Sequence, residues 1–430
     1  MKNVVFCAAV VILGCSLALG QQYKVLWSFG GATSGDGAQP LGKLVADAAG
    51  NLYGTTTTGG LYVPDNCAGD GCGTVFELSP SINGSWTESV IYNFCSNLSG
   101  FLCLDGANPY AGLIFDSAGN LYGTTNAGGQ DCPRASDGCG TVFELSPPSL
   151  PGGAWTETLL YAFCADGENE CPDGTFPRGK LIFDGSGNLY GTTWEGGSEF
   201  AGTVFELSPG TNGWTELVLY NFCSIGQYPY RCEDGITPEA GVTFDKSGNL
   251  YGTTFLGGSS RFEGGGVVYE ISPGSHGWTE TVLYAFIAPN YRTGAAPFGE
   301  VNFDSAGNLY STVSSGAVNG GGGVFRLSSK APKHYTFSFE TNQGNSPLSG
   351  VLIDPRNENL YGTTSLGGPD NSGNVFKLAK KQETILHSFT GGADGGQPAA
   401  SLIADKAGNL YGTTQLGGNS NNGVVFEIMP

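Results

Sequence analysis

The chain has 430 residues, of which 72 are glycine and 12 are cysteine, and only 13% are charged. Its 18 basic and 38 acidic residues give a net charge of −20, which argues against nucleic acid or an anionic lipid surface as partner, since both require a basic surface. The 40% hydrophobic and 12% aromatic content is too high for a disordered chain.

The N-terminus has the pattern of a secretory signal peptide over residues 1–20. A single lysine precedes the apolar run Val4–Leu19, and small residues stand before Gln21. The run is too short and glycine-interrupted for a membrane helix, and no later segment could span a bilayer. We therefore expect a secreted protein, in the periplasm or at the cell exterior. An alternative is lipoprotein anchoring at Cys15, because residues 12–15 loosely resemble a lipobox.

The rest of the chain is a sevenfold repeat. Asn-Leu-Tyr recurs seven times at intervals of 50 to 69 residues, and an aspartate precedes it by four residues in six copies and by five in the other. Each repeat contains four strand-like runs, seen for example in Leu113–Phe115, Asn120–Thr125, Gly140–Pro147 and Trp155–Phe163. Four short strands repeated in this way predict an all-β fold, the β-propeller of four-stranded antiparallel blades.

The two chain ends predict how the ring closes. The seventh repeat stops after its third strand, and a matching fourth strand stands at Tyr23–Phe29. We therefore expect a seven-bladed propeller formed by one domain, residues 21–430, in which the N-terminal strand completes the last blade. We expect a monomer.

Ten cysteines of the mature chain form five close pairs. They are Cys67/Cys72, Cys95/Cys103, Cys132/Cys139, Cys164/Cys171 and Cys223/Cys232. In an exported chain such neighbours predict disulfides. Zinc binding is the alternative, but it would favour tighter Cys-x-x-Cys spacing and a reducing compartment.

The repeat resembles a known family. "D-x-x-G-N-L-Y-G-T-T" followed by "G-T-V-F-E-L-S-P" is similar to the GloVer tandem-repeat family of exported bacterial proteins, over residues 23–430. The resemblance implies a propeller-like repeat protein that is exported. It implies no particular activity, and since nothing follows the last strand we expect no C-terminal anchor.

Strand order predicts where ligands bind. In a four-stranded meander, the loops entering the first strand and joining strands two and three share one face, which we call the upper face. All five cysteine pairs map to it, and loops on a rigid scaffold usually carry binding residues. The residues after the proline of each entry loop would form the inner rim of the central channel.

Charged and aromatic residues on this face are the candidate ligand-binding residues. They are Lys43, Tyr110, Arg178, Lys180, Trp194, Glu239, Phe255 and Glu300. Charges flanked by aromatic rings suit a polar ring-bearing ligand such as an oligosaccharide, with an anionic group on Arg178 and Lys180. The alternatives are structural: Arg178 pairs with Glu239 and Lys180 with Glu300, sealing the pore, and the aromatic residues cover hydrophobic loops.

Two acidic sets also recur. The Asp-x-x-Gly-Asn turns lack the clustered acids of a calcium loop, and turn chemistry explains them. Asp36, Asp105, Asp173, Asp234 and Asp394 precede the first strands. These are turn residues, or else a partial carboxylate ring that holds a divalent cation at the pore.

No catalytic constellation is recognisable, so whether the protein is an enzyme is left open. The leading hypothesis is a binding or cell-surface interaction module for a carbohydrate or protein ligand, without a cofactor. The alternatives are a metal-dependent hydrolase or lyase acting on a carbohydrate or lactone at the pore mouth, where Glu239 and Glu300 would serve but no asparagine aligns on the rim, and a structural envelope protein.

Overall fold

A computed structural model describes most of the chain. The described residues are 22–62, 67, 69–130, 132, 137–150, 152–164, 171–227, 231–259, 264–287, 294–317, 320–328, 335–340, 344–380 and 382–429. The predicted signal peptide and Cys15 lie outside these residues. They include a 3-10 turn, Gly31–Thr33, and none of their helices could span a membrane.

Seven antiparallel sheets form a seven-bladed β-propeller, as predicted. Blades 1 to 7 are numbered in chain order, and the strands of each blade are counted outward from the axis. The first strands are Val45–Ala46, Ile114–Phe115, Ile182–Phe183, Thr243–Phe244, Asn302–Phe303, Leu352–Ile353 and Ile403–Ala404. The second strands are Leu52–Thr56, Leu121–Thr125, Leu189–Glu195, Leu250–Thr254, Leu309–Ser315, Leu360–Thr364 and Leu410–Thr414.

The two outer strands are longer than the inner strands in every blade except blade 5. The third strands are Thr74–Pro80, Thr141–Ser146, Thr203–Gly210, Gly264–Gly274, Gly323–Leu327, Asn374–Ala379 and Val424–Met429. The fourth strands are Trp86–Asn93, Thr156–Ala162, Gly213–Asn221, Gly277–Ile287, Tyr335–Glu340, Gln382–Ser388 and, for blade 7, Gln22–Ser28.

Additional short strands lie in the loops of the upper face. They are Gly37–Ala38, Thr58–Gly59, Leu98–Ser99, Leu102–Cys103, Thr175–Pro177, Gly226–Gln227, Arg231–Cys232, Ala295–Pro297, Gly344–Asn345 and Leu366–Gly367. Thr175–Pro177 and Ala295–Pro297 pair with second strands, so blades 3 and 5 each have a fifth strand.

Close packing explains the glycine of Leu-Tyr-Gly-Thr-Thr in blades 1 and 2. The third-strand Phe76 and Phe143 are fully buried, and each ring lies over the glycine of the neighbouring second strand. A Cβ atom added at Gly54 or Gly123 would lie 2.6 Å from that ring. The glycine therefore makes room for the phenylalanine, because protein interiors are packed too densely to absorb an extra carbon there.

The Asp-x-x-Gly-Asn turns are held by hydrogen bonds to the aspartate. In the first turn, Asp47 Oδ1 accepts the backbone N–H groups of Ala49 and Asn51, and Oδ2 accepts the side chains of Asn51 and Tyr53. The same pattern recurs in blades 2 to 5, and blade 7 varies it. These carboxylates therefore serve the turns, as the sequence predicts.

The N-terminal strand closes the ring, as predicted. Gln22 pairs with Met429 and Ser28 with Val424 in an antiparallel ladder, with a bulge between Val25 and Trp27. A bulge stands at the same place between the third and fourth strands of every blade. The N-terminal strand thus repeats the geometry of the six fourth strands that are continuous with their blades.

All five predicted disulfides form. Four of them meet in pairs: Cys72 Sγ lies 4.0 Å from Cys103 Sγ, and Cys139 Sγ lies 4.0 Å from Cys171 Sγ. In each case one disulfide lies in the loop between strands two and three, and the other lies in the neighbouring blade-to-blade loop. The two loops are therefore in contact through their disulfides. The cysteines are buried within the hydrophobic clusters that lie between blades.

Candidate functional site at the upper pore mouth

All seven blades contribute to a cavity on the axis of about 250 Å³. Six of the predicted site residues line it: Lys43, Tyr110, Arg178, Lys180, Glu239 and Glu300. The apolar residues Leu41, Phe298 and Leu348 line the same cavity. The rim is therefore asymmetric, with charges from blades 1, 3, 4 and 5 and mainly apolar or small side chains elsewhere.

Small residues let the entry segments approach one another. A Cβ atom at Gly42 would lie 2.7 Å from the Ala111 carbonyl oxygen, and one at Gly112 would lie 2.4 Å from the Lys43 carbonyl oxygen. Backbone thus meets backbone between neighbouring blades. The larger side chains on either side of the glycines are consequently presented to the channel.

Arg178 is held on several sides. Its Nη1 lies 3.2 Å from Glu239 Oε2, and its Nε donates to Asn126 Oδ1 at 3.1 Å. The guanidinium lies 4.0 Å from the centre of the Trp194 ring and 5.5 Å from that of Tyr110. These contacts combine a charge-assisted hydrogen bond with cation–π stacking.

The Glu239 carboxylate is nearly out of solvent, with 9% of its side chain exposed. Burial raises the pKa of Glu239, and the Arg178 guanidinium offsets only part of that effect. The Trp194 indole N–H also lowers this pKa, although it forms no hydrogen bond of normal geometry.

A second ion pair spans the channel, between Lys43 and Glu300. Lys43 Nζ lies 3.5 Å from Glu300 Oε2, and 21% of each side chain is exposed. Burial opposes the ionisation of Glu300, but the Lys43 and Lys180 ammonium groups outweigh it and lower the pKa of Glu300 below its ordinary value. Burial lowers the pKa of Lys180; Glu300 partly opposes this and Lys43 adds to it.

The structural alternative for the rim is correct for one pair and wrong for the other. Arg178 does pair with Glu239, but Glu300 pairs with Lys43 rather than Lys180. Among the described residues no carboxylate lies within ion-pairing distance of Lys180.

Sequence reasoning missed two polar residues of the site. Asn126 binds Arg178, and Gln415 lines the cavity. Both directly follow the second-strand Thr-Thr, at the position that Trp194 occupies in blade 3. The aligned position after Thr-Thr was the available signal for both residues.

The two aromatic residues at this position have different roles. Trp194 packs beneath Arg178 and, at 6.4 Å between ring centres, beside Phe176. Phe255 packs edge-on against Phe298 at 6.0 Å, so that it borders the cavity only through that ring. Both rings are half-buried.

The second acidic set consists of loop-stabilising residues. Asp105 accepts the Ser96 and Asn97 backbone N–H groups, and Asp234 accepts those of Ser224 and Ile225. Asp36, Asp173 and Asp394 likewise accept backbone N–H groups of their own loops. The turn interpretation accounts for these contacts.

Among the described residues, groups of three or more His, Cys, Asp or Glu side chains within metal-binding distance consist of cysteines alone. These cysteines are already joined in disulfides. The central carboxylates Glu239 and Glu300 each contact a basic side chain instead.

The sheets and the axial cavity define the class of protein: a seven-bladed β-propeller with a polar pore mouth. The chain belongs to the Gloeobacter/Verrucomicrobia repeat family, whose model matches residues 15–171, 71–288 and 226–426. No curated protein sequence matches it.

Solved structures with a similar fold include enzymes. One is a polysaccharide lyase of family PL25, an ulvan lyase bound to a GlcA(1-4)Rha3S unit; its TM-score is 0.52 at 11% identity, over 93% of this chain and 95% of that chain. Another is a protein described as a 6-phosphogluconolactonase from Bacteroides uniformis, with a TM-score of 0.46 at 14% identity over 80% of this chain and 83% of that chain. At these identities the likeness establishes the fold alone.

Proposed function

We propose that this protein is an exported binding module that recognises an anionic group of a carbohydrate, or of a protein partner, at its upper pore mouth. The observation that carries the proposal is Lys180, a lysine on the cavity wall with no carboxylate in ion-pairing distance among the described residues.

The charge balance of the rim supports an anionic ligand. Three basic residues face two carboxylates there, whereas the whole chain carries −20. A local positive site in an acidic protein concentrates the field on the position that an anion would take. An acidic group bound to Lys180 would complete the charge pairing.

The aromatic surroundings support a sugar ring beside the anionic group. Tyr110 is 37% exposed at the cavity, and an exposed ring offers an apolar face with a polar edge. The volume of about 250 Å³ is below the ~300–1,000 Å³ of pockets that enclose whole ligands. We therefore infer recognition of one terminal residue, with the remainder of the ligand lying over the upper-face loops.

Export rests on the N-terminal pattern and on the five disulfides. Residues 1–20 would direct secretion and be removed, and the disulfides suit an oxidising compartment. The intact mass of the protein recovered from the producing cell tests this part: a chain that begins before Gln21 contradicts it.

Lys180→Met tests the binding site, because methionine keeps the length of the side chain and removes its charge. We expect wild-type protein to bind uronate- or sulfate-bearing glycans on an array, and the variant to lose at least tenfold in affinity by calorimetry. The melting temperature should fall only modestly, because Lys180 forms no direct ion pair and the variant loses only its longer-range attraction to Glu300, which keeps the Lys43 contact.

Lys406→Met is the matched control, since Lys406 is exposed on the opposite face. It should bind as wild type does. Equal binding by Lys180→Met and wild type, or a preference for neutral glycans, would overturn the proposal.

A further inference from the structure

Four cysteine sulfurs meet where blades 1 and 2 join on the upper face. Cys67 and Cys72 form one disulfide, in the loop between the second and third strands of blade 1. Cys95 and Cys103 form the next one, in the loop that enters blade 2. Cys72 Sγ lies 4.0 Å from Cys103 Sγ, and all four sulfur atoms lie within 4.8 Å of one another. The two disulfides thus form one compact cluster of sulfur.

The size of this cluster suits a tetrahedral metal site. With Zn–S bonds of ~2.3 Å, the sulfurs of such a site stand about 3.8 Å apart, which is close to the distance between the two disulfides. Opening each S–S bond lets its two sulfurs separate towards the same spacing. The four cysteines are 0–5% exposed and lie in a hydrophobic cluster that includes Phe94. A metal ion there would take all four ligands from the protein, as closed structural zinc sites do.

Backbone hydrogen bonds hold these cysteines in place independently of the disulfides. The Asn108 N–H donates to the Cys72 carbonyl oxygen at 2.8 Å, which joins the two loops. The Cys95 N–H donates to the Gly106 carbonyl oxygen at 3.2 Å, and the Gly106 N–H donates to that of Cys103 at 3.0 Å. None of these bonds involves sulfur, so reduction of both disulfides would leave four thiols close together.

The other disulfides do not supply a complete set of four ligands. Between blades 2 and 3, only three sulfurs come within the same distance, those of Cys132, Cys139 and Cys171. Cys223 and Cys232 belong to no such group among the described residues. Ala201 stands in blade 3 where blade 1 has Cys72, so the partner disulfide is missing there. The molecule therefore contains its own comparison sites.

We propose that the cluster of Cys67, Cys72, Cys95 and Cys103 binds zinc in its reduced form, so that zinc and oxidation compete for the same four sulfurs. A dithiol reductant gives two electrons and two protons to each disulfide and itself becomes a disulfide. Zinc then replaces the four thiol protons, because thiolates favour zinc over harder cations. A disulfide oxidant reverses the sequence and expels the ion. The zinc form links the two loops through the metal, whereas each disulfide lies within one loop.

The test uses the mature protein reduced with a trialkylphosphine, which takes one oxygen atom from water for each disulfide that it opens. Titration with Co²⁺ should give the visible spectrum of a tetrahedral cobalt–thiolate site, and Zn²⁺ should displace the cobalt. Cys67→Ser/Cys72→Ser should weaken zinc binding at least tenfold, leaving at most the three-cysteine group. Cys223→Ser/Cys232→Ser is the matched control and should bind as wild type does. All these proteins are reduced, so the variants differ from wild type only in ligand atoms.

The proposal is overturned if reduced protein shows no tetrahedral cobalt spectrum at millimolar cobalt, or if oxidised protein binds zinc with equal affinity. Wild-type affinity in Cys67→Ser/Cys72→Ser would likewise overturn it. Circular dichroism of the same samples shows whether the sheets persist on reduction. Because the folded loops bring the sulfurs together, equal zinc affinity in urea, or a loss of the sheets that zinc does not restore, would also contradict the proposal.

Discussion

Four glutamates at corresponding positions of the fourth strands have unusual carboxyl groups. They are Glu88, Glu157, Glu216 and Glu280, and one carboxylate oxygen of each is buried without a hydrogen-bond partner among the described residues. Burial raises the pKa of Glu88 and Glu157 to about 7 and that of Glu216 and Glu280 to about 8. The negative charge of a nearby entry-loop aspartate adds to the effect in each case.

These shifts predict that the protein is less stable in mild base than in mild acid. The folded state holds protons on these carboxyls that the unfolded state releases above its pKa of about 4.5, so stability falls as pH rises from there towards 8. We expect a melting temperature several degrees higher at pH 5.5 than at pH 8.5. Glu280→Gln should raise the value at pH 8.5 and reduce the difference.

Glu199→Gln is the control, because Glu199 is exposed; it should change neither value. A melting temperature that is constant or rising between pH 5.5 and 8.5 would contradict the prediction.

The aspartates of the Asp-x-x-Gly-Asn turns determine how the stability of the fold decreases at acid pH. Burial disfavours the charge of Asp116, Asp184 and Asp245, yet hydrogen bonds from backbone and asparagine N–H groups outweigh burial and lower the pKa of each carboxyl. Their stabilising effect is present above the pKa of the unfolded chain and is lost as pH falls below it. Stability should therefore be greatest near pH 5.

The fourth strand of blade 7 is the element on which ring closure depends. Without Gln22–Ser28, the third strand Val424–Met429 would expose unpaired backbone groups beside fully buried side chains such as Val425 and Phe426. An exposed apolar edge strand promotes aggregation. Deletion of residues 21–30 should therefore lower the melting temperature by at least 10 °C or cause aggregation, measured by calorimetry and light scattering.

A permuted variant provides the control. Because Gln22 stands opposite Met429, a short hairpin linker can attach residues 22–30 behind Pro430 in the arrangement that the other blades use. This variant should recover most of the lost stability. An unchanged melting temperature in the deletion would contradict the role of the strand.

Elements could be predicted from the sequence more fully than contacts within the pore. Alternating apolar positions and recurring turns define each blade, and the unmatched strands at the two ends define closure. Repeat alignment also placed Arg178 and Glu239 on adjacent blades. It could not select Lys43 over Lys180 as the partner of Glu300, because that choice depends on distances across the ring, which no alignment of neighbouring repeats contains.

For the molecule as a whole, the disulfides add stability, but we expect that folding does not require them. Each closes a loop with a sequence separation of only 5 to 9 residues, for which chain entropy allows at most about 2–3 kcal/mol per bridge. Reduction should therefore lower the melting temperature while the far-ultraviolet circular dichroism of the β-sheets persists at 25 °C. Complete unfolding on reduction would contradict this.

The short distances between sulfur atoms of different disulfides predict which incorrect bridges could form, and peptide mapping can detect them. Exchange within a cluster would yield a Cys72–Cys103 or Cys139–Cys171 bridge, since those sulfurs are neighbours. We expect non-reducing digests of native protein to contain only the five local bridges. A Cys72–Cys103 species should arise only after partial reduction, and its presence in untreated protein would refute the assignment.

The pairing of Gln22–Ser28 with Val424–Met429 also has a consequence for biosynthesis. Gln22–Ser28 is synthesised long before its partner Val424–Met429, so the ring stays open until that partner has been made. Until then the backbone N–H and C=O groups of Gln22–Ser28 lack their strand partner, so a chaperone that holds extended chains can bind them. The long interval in sequence makes this final contact the slowest kind to form, so interruption of synthesis at any point before residue 424 leaves a product that cannot close and is exposed to proteolysis.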